Sequence, residues 1–145
     1  DYHKGMRVKY TKLSHNAQIP TKATEGSAAY DLYATENVYI PHGETAVVST
    51  GLSMEIPEGW KGEIYSRSGL ASKGIFVANS PGKIDSDYRG EIKVILHNTR
   101  REIVGIHSGE RIAQFEINPV HPIDWEEGEL TDTERGEGGL GSTGS

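Results

Sequence analysis

Two carboxylates, Asp31 and Asp85, stand in segments that could support chemistry. Asp31 is the lone acid within residues 26–34, among small and apolar neighbours. A carboxylate there needs an arginine, backbone amides or the water shell of a metal as its partner. Asp85 opens a turn-rich stretch over residues 85–90, where a carboxylate could activate water. The alternatives are a structural ion pair at Asp31, favoured when that residue is taken alone, and ordinary tight turns around Asp85.

A candidate phosphate site follows at residues 65–71, where a predicted strand ends and a short helix, Ser68 to Lys73, begins. Free amides at a helix start bind phosphate, and Ser68 adds a hydroxyl as the predicted N-cap. Gly69 permits close approach of the backbone. An ordinary N-cap would explain Ser68 but not the adjacent Arg67. The sequence has no Walker-type glycine-lysine loop, so any phosphate binding is of another kind.

Two further segments offer groups that suit a nucleotide. Strand-like arms flank Ser80-Pro81-Gly82 and predict a β-hairpin whose backbone could read a planar base edge. Tyr88 offers a ring face to a sugar. Residues 135–144 combine an arginine, flexible glycines and two hydroxyls that could wrap a polyphosphate. By composition alone this tail is more typical of a disordered end than of a lid that orders on a ligand.

Composition limits the classes of function. The 145 residues suit one domain, and the modest hydrophobic share of 34% means that burial between subunits would help its core. A net charge of −6 argues against general affinity for nucleic acid or an anionic membrane, so a polyphosphate must meet local cations or a metal. The absence of cysteine excludes disulfides and thiolate chemistry.

The sequence also carries expectations about location and termini. No apolar run reaches the ~18 residues of a membrane span and no signal peptide is visible, so we expect a cytoplasmic protein, in the host cell cytoplasm if it is viral. Residues 1–5 precede Met6, and we interpret them as remnants of an expression vector.

Alternating apolar and polar residues predict the elements that must position these groups. Residues 46–56 and 111–117 alternate strictly, and Ile92, Val94 and Leu96 indicate a third strand. Turn formers punctuate these runs at short intervals, which predicts an all-β sandwich or jelly roll with one short helix. We expect a jelly-roll domain over residues 6–132 and a flexible C-terminal lid arm over residues 133–145.

Taken in order, five segments resemble the five motifs of the trimeric dUTPase family. Each motif alone is moderately specific, but five in the right order and spacing leave little room for chance, and the match runs from about Val8 to Gly144. The segments are Ala29-Tyr-Asp-Leu-Tyr-Ala34, Arg67-Ser-Gly-Leu-Ala71, Gly82-Lys-Ile-Asp-Ser-Asp-Tyr-Arg-Gly90, Gly109-Glu-Arg-Ile-Ala-Gln114 and Arg135-Gly-Glu-Gly-Gly-Leu-Gly-Ser-Thr-Gly144.

The resemblance implies a fold, an assembly and a reaction. The family fold is a β-clip-like jelly roll that assembles as a homotrimer, with active sites at subunit contacts that draw residues from all three chains. The implied reaction is the Mg²⁺-dependent hydrolysis of dUTP to dUMP and pyrophosphate by water attack on the α-phosphorus. It limits uracil in DNA and supplies dUMP for dTMP synthesis.

The same resemblance implies roles for individual residues. Asp85 would be the general base, and Asp31 would hold a water of the magnesium shell rather than the ion itself. Asn79 and the hairpin backbone would read uracil, Tyr88 would pack under the deoxyribose and exclude a ribose 2′-hydroxyl, and Arg135 would clamp the γ-phosphate. The remaining expected substrate contacts are Arg67, Ser68, Gly69, Gly82, Ile84, Gln114, Leu140, Gly141, Ser142 and Thr143.

Two positions differ from the family pattern, and there are two alternative functions. Leu140 stands where the family commonly carries an aromatic ring that stacks on uracil, and Ala29 stands where glycine is frequent. A dCTP deaminase of the same fold would carry paired serines after the arginine and a catalytic glutamate on the hairpin, unlike this chain. A non-catalytic nucleotide-binding regulator is the other rival, and the intact Asp31 and Asp85 argue against it.

Overall fold

The computed structural model describes residues 5–141. In that range the strands form two four-stranded antiparallel sheets and one two-stranded sheet. Within that range there is one helical turn, α1 (Ser68–Ala71). The strands are β1 (Lys9–Lys12), β2 (Tyr30–Tyr33), β3 (Val38–Ile40), β4 (Thr45–Glu55), β5 (Trp60–Tyr65), β6 (Ile75–Val77), β7 (Gly82–Ile84), β8 (Ile92–Asn98), β9 (Val104–Ile106) and β10 (Arg111–Pro119).

Strands that follow each other in the sequence mostly do not pair, and most pairs join strands that are distant in the sequence. One sheet has the order β1-β4-β8-β6, the other β2-β10-β5-β7, and β3 pairs with β9. The register of β4 against β8 shifts between Ser49 and Leu52, which marks a β-bulge. This architecture confirms the all-β sandwich expected from the alternation.

The core lies between the two large sheets and consists of the side chains that the period-two pattern selected. On β8, Ile92, Val94 and Leu96 are all 1% exposed or less, as predicted. Burying each such side chain stabilises the fold by about 1.5–3 kcal/mol. On β10 the prediction missed Ile112, which is buried beside Ala113 because the register against β2 shifts at that point.

The predicted hairpin at Ser80-Pro81-Gly82 is wrong. Its first arm, β6, pairs with β8, whereas its second arm, β7, pairs with β5 in the other sheet. The turn at residues 78–81 therefore crosses between the two sheets. We call it the crossing turn. The turn-forming residues predicted a reversal of the chain, but they carry no information about the strands with which each arm pairs.

The predicted helix is shorter than expected and begins differently. It ends at Ala71, and Arg67 occupies the N-cap position with extended backbone (φ −80°, ψ 133°) and no side-chain cap hydrogen bond. Ser68 is therefore the first helical residue, and its prediction as the N-cap is wrong. No helix within residues 5–141 is long and apolar enough to cross a membrane.

Beyond β10 the chain becomes exposed, and a hydrogen bond from the Val120 N–H to the Gly59 carbonyl at 2.8 Å marks the start of this segment. Residues 120–141, here called the arm, contain no strand, and all of them are exposed except the half-buried Gly138. Five large apolar side chains on the arm are exposed, namely Val120, Ile123, Trp125, Leu130 and Leu140. The predicted domain boundary between residues 132 and 133 stays a prediction.

Candidate active site

Asp31 lies on β2 between two arginines from other strands. Its side chain is almost fully buried, with the Arg67 Nε 3.6 Å from its Oδ1 and the Arg111 Nη1 3.8 Å from its Oδ2. Both distances exceed those of direct hydrogen bonds, so the pairing is electrostatic and leaves space around the carboxylate. The sequence predicted an arginine partner as one alternative, but it did not single out Arg111.

Strand register explains why these side chains meet. Gln114 on β10 pairs with Asp31 on β2 and with Tyr65 on β5, so the three side chains lie side by side on one face of the sheet. Arg67 follows Tyr65 by two residues of extended backbone and so points to the same face. The structure thus brings together Asp31, Arg67 and Gln114, and we call them, with Arg111, the arginine patch.

The start of α1 adds backbone donors beside the arginine patch. The first intrahelical bond runs from the Ala71 N–H to the Arg67 carbonyl, so the N–H groups of residues 68–70 have no acceptor within the helix. Ser68 and Gly69 are exposed. A Cβ added at Gly69 would meet only the Arg67 Nη1, at 3.7 Å, so a ligand could approach this backbone closely.

A second group of predicted residues lines a cavity of about 330 Å³ whose walls come from β7, the turn after it, and strands β4 and β8 of the other large sheet. Ile84, Asp85 and Tyr88 contribute to its wall, and Val47 and Ile95 supply apolar surface. Asp85 is exposed, and its carbonyl accepts a hydrogen bond from the Tyr88 N–H at 3.1 Å, which closes the turn between them. We call this the nucleoside cavity because it combines apolar surface, a ring and a carboxylate.

Asn79 lies on the crossing turn, and Gly82 makes room for it. A Cβ added at Gly82 would lie 3.1 Å from the Asn79 Nδ2, so only glycine allows the amide to rest against the backbone of β7 without a shift. Among the described residues the Asn79 side chain has no hydrogen-bond partner. Its donor and acceptor are therefore free for a ligand.

Ser66 connects the crossing turn to the arginine patch and was missed by the sequence analysis. Its Oγ accepts the Val77 N–H at 2.9 Å, and its own N–H donates to the Ser80 Oγ at 3.4 Å. Both ends of the turn that carries Asn79 are thereby tied to the residue before Arg67. Nothing in the local sequence predicted this link, because the partners are more than ten residues apart.

Glu63 fastens β7 from the neighbouring strand β5 and was also missed. Glu63 is buried, and its carboxylate accepts a hydrogen bond from the Asn118 Nδ2 at 2.6 Å and lies 3.2 Å from the Lys83 Nζ. The hydrogen bond from Asn118 holds the pKa of the Glu63 carboxyl below its usual value despite burial. The contact of Lys83 with the Glu63 carboxylate raises the pKa of Lys83. Lys83 lies two residues before Asp85, so this network anchors the strand that leads to it.

The arm residues predicted for the site make local contacts. The Arg135 Nε donates to the Gly138 carbonyl, and the Gly136 N–H donates to the Thr133 Oγ1. Leu140 and Gly141 are exposed, so the structure does not bring the arm to either the arginine patch or the nucleoside cavity of its own chain. The predicted contacts Ser142 and Thr143 lie outside the described residues.

The donor set limits how a metal could bind. Within residues 5–141 there is no cluster of three or more His, Asp or Glu side chains able to hold an ion. A cation at this site would take most of its ligands from water and substrate. Mg²⁺ accepts that arrangement, since it keeps several waters and binds through one or two carboxylates plus phosphates.

The chain is similar in sequence to proteins of one family. A family model described as dUTPase matches residues 15–144. The chain is 51% identical over 141 residues to the deoxyuridine 5′-triphosphate nucleotidohydrolase of Nautilia profundicola, covering 96% of this chain and 99% of that protein. It is 46% identical over 146 residues to the enzyme of the same name from Anaplasma marginale, covering 97% and 99%.

Solved structures give the same result for the fold. The dUTPase of Staphylococcus bacteriophage 80alpha with dUPNHPP superposes with a TM-score of 0.81 at 30% identity, covering 96% of this chain and 99% of that chain. A variant of the phage phi11 dUTPase, described with a structural Mg(II) ion, gives a TM-score of 0.77 at 27% identity, covering 86% and 98%. The sequence match over most of the chain and the shared fold lead to one conclusion: the chain belongs to the dUTPase family.

Proposed function

We propose that the chain hydrolyses dUTP to dUMP and pyrophosphate, with Asp85 as the general base. The observation that carries this assignment is the nucleoside cavity, where an exposed carboxylate, a tyrosine ring and apolar surface meet. The arginine patch supplies cations for a triphosphate, although the net charge of the chain is −6. The exposed Asn79 on the adjacent turn, with no side-chain partner among residues 5–141, offers an amide that a uracil edge could pair with.

The chemical step needs one base and good alignment. A water oxygen attacks the α-phosphorus, the bond from that phosphorus to the α,β-bridging oxygen breaks, and pyrophosphate leaves. The carboxylate of Asp85 accepts the proton of the attacking water. Phosphoryl transfer of this kind depends on positioning and charge neutralisation more than on covalent help from the protein.

The phosphate chain belongs, in this proposal, to the arginine patch and the start of α1. Arg67 and Gln114 bind phosphate oxygens, and the backbone at Ser68 and Gly69 donates further hydrogen bonds. Asp31 holds a water of the magnesium shell. When bound, Mg²⁺ neutralises charge on the phosphate oxygens and orients them.

The nucleoside is recognised by the groups around the crossing turn. Asn79 and the backbone of that turn read the uracil edge, with Gly82 and Ile84 beside the base. The ring of Tyr88 packs under the deoxyribose and excludes a 2′-hydroxyl. Leu140 of an arm gives the base an apolar contact that is weaker than a stacked ring.

We also propose a homotrimer in which each site receives its arm from another copy. Five large apolar side chains are exposed on the arm, and an open apolar hollow of about 500 Å³ lies near the N-terminal strand. Contacts between copies would bury both surfaces, and they would bring Arg135, Leu140, Gly141, Ser142 and Thr143 to the substrate. Light scattering of the ligand-free protein should give three times the 15.8 kDa chain mass, and a monomer mass at micromolar concentration would refute the trimer.

The cellular role follows from the reaction. Removal of dUTP limits uracil in DNA, and the product dUMP feeds dTMP synthesis. The expected compartment, the cytoplasm or the host cell cytoplasm if the chain is viral, stays a prediction from the sequence.

Pyrophosphate release from dUTP tests the function directly. We expect Mg²⁺-dependent turnover of dUTP and, under the same conditions, no appreciable turnover of dTTP, dCTP or UTP, so that kcat/KM for UTP is small but measurable at high enzyme concentration. Asp85→Asn should lower the rate by about 10²–10⁴-fold and retain binding of a non-hydrolysable dUTP analogue, because only the base is lost. Asp87→Asn, which changes another exposed acid in the same turn, is the matched control and should keep the wild-type rate. An Asp85→Asn rate within about threefold of wild type would assign the base elsewhere.

A further inference from the structure

The Tyr88 ring is fixed by its own turn. The Tyr88 Oη donates a hydrogen bond to the Glu91 carbonyl at 2.8 Å, and the ring lies directly on the backbone of Gly90. A Cβ added at Gly90 would lie 2.6 Å from the Tyr88 Cζ and would clash with the hydroxyl as well. Any side chain at position 90 would therefore push the ring out of its present place.

Glu91 is itself fixed by the bulge in β4. Its Oε2 accepts a hydrogen bond from the Gly51 N–H at 3.0 Å. Gly51 has a φ of +71°, and a Cβ there would lie 2.8 Å from the Ala17 Cβ, so the bulge requires glycine. Next to this contact the Thr50 hydroxyl donates to the Ile92 carbonyl, which joins the bulge to the start of β8. The backbone that receives the Tyr88 hydroxyl is thereby held by the core sheet.

We propose that Gly90 and Glu91 are positioning residues that determine sugar specificity, by clamping the Tyr88 ring where a ribose 2′-hydroxyl would collide with it. The inference rests on the role proposed above for Tyr88. Rejection of a ribonucleotide depends on a ring that does not yield, because a ring able to move aside would admit the extra oxygen at little cost. The Tyr88 hydroxyl is held by the Glu91 carbonyl, and the bond from Gly51 to the Glu91 carboxylate holds the residue that carries that carbonyl.

The test compares kcat/KM for dUTP with kcat/KM for UTP in Glu91 variants. Glu91→Ala removes the bond to Gly51 and should lower the dUTP/UTP ratio about tenfold, the size of one hydrogen bond's net contribution. Glu91→Gln retains an oxygen acceptor and should keep the ratio within about twofold of wild type. A purely structural role would lower both kcat/KM values together and leave the ratio unchanged, and that result would overturn the inference.

Two further variants keep the test decisive. Tyr88→Phe removes only the tether to Glu91 and should also lower the ratio, so it decides the matter if Glu91→Ala fails to fold. Tyr88→Ala separates the two proposals. If Tyr88→Ala leaves the ratio unchanged, the sugar-reading role of Tyr88 fails and the clamp with it. If Tyr88→Ala lowers the ratio but Glu91→Ala and Tyr88→Phe do not, only the clamp is wrong.

Discussion

The strands of residues 9–119 and the arm of residues 120–141 differ in what fixes their positions. The strands hold each other through two antiparallel sheets and a shared apolar core, and they place the arginine patch and the nucleoside cavity without any ligand. The arm has no strand and exposes its large apolar side chains. In the proposal above its position in a working enzyme comes from another copy and from the substrate, so stability and catalysis should separate between the two regions.

The largest expected effect is the loss of catalytic rate when the end of the arm is deleted. Deleting every residue after Glu134 removes Arg135, the only arginine of the arm, together with the glycines from Gly136 onward and Leu140. We expect the rate of dUTP hydrolysis to fall by about 10²-fold or more, since a misplaced substrate costs that much. The melting temperature and trimer mass should hardly change. A truncated protein as fast as the full chain would show that the arm is only a disordered end.

Substitution of one leucine in each region compares how much the core and the arm contribute to the free energy of unfolding. Leu96→Ala empties part of the core, where that side chain is 0% exposed, and should reduce the free energy of unfolding by about 2–5 kcal/mol. Leu140→Ala, at a fully exposed position, should change it by less than about 0.5 kcal/mol. Denaturant unfolding of both variants measures this. Equal losses would mean that the arm is packed as firmly as the core.

A smaller effect is expected on affinity when the arm is improved. Leu140→Phe restores a ring that can stack on uracil and should strengthen analogue binding by about 0.5–1.5 kcal/mol. Calorimetric titration with a non-hydrolysable dUTP analogue is the measurement. Weaker binding by the phenylalanine variant would remove Leu140 from the base contact.

The smallest effect concerns pH and belongs to the sandwich alone. Because the Asn118 hydrogen bond lowers the folded-state pKa of Glu63 below the usual 4.5, its stabilising effect is present above pH 4.5 and is lost as the pH falls through the lowered value. The melting temperatures of wild type and Glu63→Gln should therefore converge as the pH drops below 4.5. A constant difference between them would place the effect of Glu63 outside its ionisation.

The period-two pattern predicted most of the sandwich. Val94 and Leu96 were assigned to a buried face because alternation is a local signal that burial imposes directly. The crossing turn was misread as a hairpin because Val77 and Gly82 choose partners, on β8 and β5, that are distant in sequence. The residues of a turn do not predict which distant strands its two arms will pair with.

In the candidate site, too, local sequence signals could be read, whereas contacts between distant residues could not. Asp31, Asp85 and Tyr88 could be proposed from the sequence because their residue types and their local motifs suit the chemistry, and their roles stay predictions. Arg111 and Ser66 were missed, because their contacts arise only from strand register and from the connection between sheets. The lid arm over residues 133–145 was proposed because a glycine-rich segment cannot build a core of its own, and it stays a prediction.

Subunit complementation tests most directly the claim that the arm serves a site on another copy. Full-length Asp85→Asn chains and arm-truncated chains with an intact Asp85 are each inactive by the predictions above. Unfolded together in equal amounts and refolded, they should form mixed trimers in which about one quarter of the sites combine an intact Asp85 with an intact arm. We predict that dUTP hydrolysis returns in the mixture to about that fraction of the wild-type rate. A mixture that contains mixed trimers and stays as inactive as its two components would contradict the account, because each arm would then serve the site of its own chain.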